Sequence, residues 1–226
     1  MKKLLILFLL SILILSNSFS MERKILHTYE ADYRLFPDTP YREKYIERLS
    51  DDYPVKYCVQ SLMKRPRQDN KGYSCEEILK RLEQMGGVDK ECFGVSYVDS
   101  NTGERKPVFK KAIYDEERGE LYIKDKAAGG LHFTVGIDKY QNKGMIYVVN
   151  AIINKHPDNI FVRGLKKNEA EIFVYMEETE EFISVYALIQ CSYSPVEHKF
   201  LKSYVEKAVN ARVKELQNWF YRMLRG

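Results

Sequence analysis

The chain reads as an α+β domain, a curved antiparallel sheet of about seven or eight strands packed on a long carboxy-terminal helix. Three observations predict it. For about a hundred residues after Cys92, apolar and polar side chains alternate with the two-residue period of a strand that buries one face. The turn-like pieces between these runs are too short to house crossover helices, so neighbouring strands must run antiparallel. From Pro195 to Leu224 the apolar spacing changes to three and four, the mark of an amphipathic helix. The composition fits one globular domain, with 226 residues of which 45% are hydrophobic and 30% charged.

Residues 1–20 have the layout of a signal peptide: Lys2 and Lys3, an apolar run from Leu4 to Leu15, then Ser18 and Ser20 at positions suited to cleavage before Met21. That run is shorter than the roughly 20 residues needed to cross a bilayer, and no later stretch is apolar enough, so export without a transmembrane span after cleavage is expected. Residues 21–73 read as a Tyr-rich arm punctuated by Pro37, Pro40 and Pro54, with one short helix at about 40–49 and an exposed loop from Lys64 to Gly72. The α+β domain follows over 74–226. Ser74 and Glu77 form a capping box ahead of Ile78, Leu79 and Leu82. Strands are expected near 93–98, 107–114, 120–125, 131–137, 145–153, 159–164, 170–176 and 181–191. Ser194, Pro195 and Glu197 supply the cap of the last helix, whose stripe runs through Leu201, Val205, Ala208, Val209, Val213, Leu216, Phe220 and Met223. At 1.5 Å per residue this helix is ~45 Å long, enough to underlie a wide sheet.

Helix, antiparallel strands and a long last helix form the element order of START-like, helix-grip domains, which enclose an apolar cavity between sheet and helix. Over roughly residues 85–224 the chain also resembles an uncharacterised, domain-of-unknown-function family of exported bacterial proteins. The resemblance is carried by GVSYVDSNTGERKPVF from Gly94, LHFTVGIDKY from Leu131, VYALIQCSYSP from Val185 and AVNARVKELQNWFYRML from Ala208, with Asn210, Arg212, Trp219 and Phe220. It implies export and assigns no activity.

The formal charge of +4, half of it from Lys2 and Lys3, is too small for non-specific nucleic-acid binding. GxSxG, HExxH, P-loop and GxGxxG motifs are missing, and no cofactor is expected. His27, His132, His156 and His198 lie in separate segments without ligand spacing, so no metal site is expected. Cys191 with His198 could form an activated thiolate, but Cys191 shares a strand face with Ile183, Val185, Ala187 and Ile189, as a buried thiol would. Cys58, Cys75 and Cys92 are disulfide candidates in an exported chain. Arg212, Lys214, Arg222 and Arg225 give the last helix a basic side that complements its dipole.

Seventeen tyrosines, with an apolar body and a polar tip, suit pockets as well as strands. Tyr122, Tyr147, Val149, Tyr175 and Tyr186 on strands, with Val209, Val213 and Leu216 on the helix, are the candidates for lining a cavity. The expected function is non-enzymatic binding of an apolar or amphipathic small molecule between sheet and helix. The alternatives are a cell-envelope interaction module, docking through the Tyr-rich arm or the aromatic helix end at Trp219 to Leu224, and an enzyme of unrecognised type.

Overall fold

The computed structural model describes residues 22–67, 72–81, 96–99, 101–126, 128–158, 165–194 and 199–225. The elements are β1 (Glu22–Thr28), α1 (Arg42–Asp51), β2 (Tyr57–Pro66), α2 (Cys75–Leu79), β3 (Ser96–Val98), β4 (Arg105–Pro107), β5 (Phe109–Asp115), β6 (Glu120–Asp125), β7 (Gly129–Gln141), β8 (Met145–Ile153), β9 (Ala170–Glu178), β10 (Phe182–Cys191) and α3 (Lys199–Arg225). Eight strands form one open antiparallel sheet in the order β1-β2-β10-β9-β8-β7-β6-β5, and β3 pairs with β4 alone. The fold is α+β, and β5 to β10 form the expected meander.

Two strands come from a segment without an expected strand. The arm contributes β1 and β2, and β2 pairs with β10 from Tyr57↔Cys191 to Pro66↔Phe182. Lys64 to Pro66 therefore belong to a strand, not to an exposed loop, and Arg65 is buried with its guanidinium over the Tyr221 ring. The strand expected at 159–164, the leader and the capping residues Pro195 and Glu197 lie outside the described residues. The Ser74–Glu77 capping box forms as read, with Ser74 Oγ accepting from the Glu77 amide and the Glu77 carboxylate accepting from the Ser74 amide. The turn from Asp115 to Gly119 also forms. Gly119 has φ +60°, and a Cβ there would lie 2.8 Å from the Val135 carbonyl oxygen, so only glycine closes this hairpin without strain.

Both faces of the sheet are covered. On one, α3 buries Val213, Trp219, Phe220, Met223 and Leu224 against β2 and β5–β10. Each such side chain contributes roughly 1.5–3 kcal/mol of transfer free energy. On the other, Phe36 and the α1 residues Tyr45 and Leu49 pack on Ile146, Val148, Phe173, Tyr175, Tyr186 and Leu188.

The sheet must curl around α3. On one flank Arg23 of β1 donates through Nη1 to Asn218 Oδ1 at 2.8 Å, and Tyr29 donates to Glu206. Arg212 of the same helix makes a bidentate pair with Asp125 of β6, both contacts 2.7 Å. In a flat sheet β1 and β6 would lie about 29 Å apart at ~4.8 Å per strand, more than a helix of 10–12 Å diameter bridges. Arg212 is thus a structural clamp, not part of a basic side that serves the helix dipole. Its partner Asp125 is buried, and Oδ1 also accepts from the Ala128 amide at 2.8 Å.

Removing one member of this pair strands the other. Asp125→Asn or Arg212→Met is expected to lower unfolding free energy by about 3–5 kcal/mol, read from urea titrations. The double variant should lose less than the two single losses added together.

Candidate functional site

The register sorts the inward side chains of the sheet into rows across the strands. One row reads Ser61, Ala187, Val174, Val149; the next reads Val59, Ile189, Ile172, Ala151. Most of these are small or β-branched. Opposite them stand Val213, Leu216, Gln217, Trp219 and Phe220 of α3. Short side chains on the sheet leave a space between the layers, a cavity of about 160 Å³ with an apolar wall; among the described residues that line it, Ser61, Gln217 and Trp219 carry polar atoms.

Of the candidates, Val149, Val213 and Leu216 line this cavity. Tyr147 faces the same layer but is packed into the core at 3% exposure, with Lys139 over its ring, and Val209 packs at the edge of that core. Tyr175 and Tyr186 point the other way and pack on Phe36, ring centroids 5.4 and 4.8 Å away. There burial raises both phenol pKa values, Tyr175 to about 12. Tyr122 also lies on the outer side, tilted on His132 at 4.8 Å, in a surface groove with Asp115, Glu120 and Lys155. Strand parity accounts for the difference. Ala187 faces α3, so Tyr186 beside it faces away, and Tyr175, paired with Tyr186, shares its direction.

Ser61, Ala187, Gln217 and Trp219 are cavity residues that the sequence reading leaves aside. A signal existed for Gln217, a lone amide inside the stripe of Val213, Leu216 and Phe220. None existed for Ser61, whose strand is hidden within a polar segment.

The thiols do not have the chemistry of nucleophiles. Cys58, Cys75 and Cys191 are buried and free. Cys58 belongs to the core beneath α1, whereas Cys75 belongs to the core beneath α3, so the sheet separates this pair of disulfide candidates. Cys92 and His198 lie outside the described residues. Burial pushes the thiols up, Cys58 and Cys191 to about 11 and Cys75 to about 12, which keeps them protonated and inert. At the aromatic helix end Trp219, Phe220, Met223 and Leu224 are buried, and the Gly72 and Tyr73 amides donate to the Leu224 and Met223 carbonyls of α3. Among the described residues no helix is long and apolar enough to cross a membrane.

One buried acid sits beneath α1. Glu171 accepts from Gln190 Nε2 at 2.7 Å and Tyr53 Oη at 3.3 Å, with Arg48 Nη2 at 3.9 Å. Gln190 Nε2 also donates to the Leu49 carbonyl at 2.8 Å, so the cluster ties α1 to the outer face of the sheet. Burial raises the Glu171 pKa against these bonds. The chain matches no family model, and no curated protein or solved structure matches it.

In the native protein Cys58, Cys75 and Cys191 should resist iodoacetamide at pH 8 and react fully in denaturant, as peptide mass spectrometry would record. For Glu171, a raised native pKa means that its favourable contribution is complete below the unfolded value of 4.5 and is lost as pH rises through the native value. The decline of urea stability above pH 4.5 should therefore be shallower in Glu171→Gln than in the wild type.

Proposed function

We propose that the protein is an exported, non-enzymatic binder of a small, mainly apolar molecule, held in a helix-grip arrangement between the concave sheet face and α3. The observation that carries this reading is the cavity of about 160 Å³ with its apolar wall. A space of that size takes a ligand of benzene to indole dimensions, as apolar cavities near 150 Å³ do in general. It is too small for a long acyl chain, since sites for drug-sized ligands run to roughly 300–1,000 Å³. Export is proposed from the leader at residues 1–20 alone.

Trp219, the one tryptophan of the chain, lines the cavity and serves as a built-in reporter. Toluene titrated into the protein should change Trp219 fluorescence saturably. At ten times its Kd it should stabilise the fold by about 1.4 kcal/mol, a Tm rise of roughly 3–6 °C. Ala187→Leu fills the space from the sheet side, so it should weaken toluene binding at least tenfold while leaving the circular dichroism spectrum unchanged. A wild type that binds no toluene, or an Ala187→Leu variant that binds as the wild type does, overturns the reading.

A further inference from the structure

We infer that β5 is a self-complementary edge through which two copies of the protein pair, antiparallel about Ile113, into one continuous sheet. The inference concerns a surface outside the cavity and stands independently of the binding reading above. β5 ends the sheet, and among the described residues no strand pairs with its far side. The backbone donors and acceptors of such an edge are a template for a further strand. Ile113 is 45% exposed there, paired with Tyr122 of β6 on the outer face. A register shift between Phe109 and Lys111 interrupts the strand, so its regular stretch is Lys111–Asp115, with Ile113 at the centre.

The charges on the outer face define the partner. The β6 neighbours of β5 are of like sign: Lys111 is paired with Lys124, and Asp115 with Glu120. Like charges directly opposite one another destabilise a sheet. Arg118 Nε approaches Asp115 at 3.7 Å from the turn, whereas Lys111, Lys124 and Glu120 have no ion-pair partner among the described residues. A strand laid on β5 with an acid beside Lys111 and a base beside Asp115 relieves both like-charge pairs.

A second β5 meets that requirement. Antiparallel pairing of Ile113 with Ile113 of the second copy sets Lys111 against Asp115 and Asp115 against Lys111, all on the outer face. The row across the joint then runs Glu120, Asp115, Lys111, Lys124, two acids followed by two bases, and the twofold axis repeats it in reverse beyond the isoleucines. Opposed side chains in such a pair have Cβ atoms about 4.5–5.5 Å apart, within reach of an ion pair and of apolar contact between the two isoleucines. A lone lysine on an edge deters pairing; a lysine and an acid placed symmetrically about an apolar residue select one partner and one register. β1, the other end of the sheet, lacks this symmetry: about its central Ile25, Lys24 would face Leu26 and Glu22 would face Thr28. Pairing through β5 therefore closes at two copies. So short a ribbon makes a small interface, below about 1,200 Å², the range of weak and reversible association.

Sedimentation equilibrium of the wild type between about 5 and 500 µM should show a reversible monomer–dimer exchange that salt weakens. Lys111→Asp sets acid against acid and Asp115→Lys sets base against base, so each alone should lower dimer affinity about tenfold or more. An equimolar mixture of these two variants sets acid against base in both rows and should restore the dimer, as should the double variant. Circular dichroism establishes folding first. Ile113→Lys, which places two cations on the axis, stands in for Asp115→Lys should loss of the bond that Asp115 accepts from the Arg118 amide disturb the turn. A wild type that stays monomeric over the whole range, variants that dimerise as the wild type does, or a mixture of monomeric variants that fails to associate overturns the inference.

Discussion

The bidentate ion pair between Arg212 and Asp125 sets the shape on which the rest of the molecule depends. It joins the middle of α3 to the seventh strand of the sheet, while Asn218 of the same helix is held by Arg23 of β1, the first strand, and Glu206 by Tyr29 just after it. One rod touched from both flanks forces the layer to bend. The bend gives the sheet an inner face long enough to bury α3 and an outer face that α1 and Phe36 must cover. A buried ion pair is a costly way to stabilise a core, because desolvation consumes most of the Coulomb gain. Its use here is geometric: two forked hydrogen bonds fix the distance and orientation of the helix, which apolar contacts alone would leave free to slide.

The cavity follows from that fixed separation and from side-chain size. Where the inner rows carry Tyr147 the ring is packed into the core; where they carry Ser61, Ala187, Val149 and Ala151 the short side chains border the cavity. Protein interiors ordinarily pack to crystal density, and helices settle toward small residues to reach it. Here the clamp at Arg212 and the hydrogen bonds at Asn218 hold the helix off the sheet floor. The outer face has no such spacing, and its aromatic residues stack at ordinary contact distances.

Much of this was legible in the sequence. The alternation of Leu131, Phe133 and Val135, the apolar run at Met145, the Ser74–Glu77 box and the terminal helix all have strong local signals, and each is present. β1 and β2 were not legible because both break the alternation: β2 carries Gln60, Ser61 and Arg65 at buried positions, and only tertiary partners make that tolerable. The same gap concealed one edge of the cavity floor, Ser61 and Met63 of β2. The tyrosines were misdirected for a different reason. A strand apolar on both faces conceals which side a residue takes, and Tyr175 and Tyr186 lie in strands of that type.

The placement of β2 has a kinetic consequence. Ser61 and Met63 reach the cavity only when β2 pairs with β10, so segments far apart in the chain, Tyr57–Pro66 and Phe182–Cys191, must meet before the cavity exists. Non-local pairing of this kind closes a large loop before it is rewarded, and such topologies fold slowly. The meander from β5 to β10 is built from local hairpins and can precede it. The space between the layers is thus walled off last by a strand that precedes the whole meander in sequence.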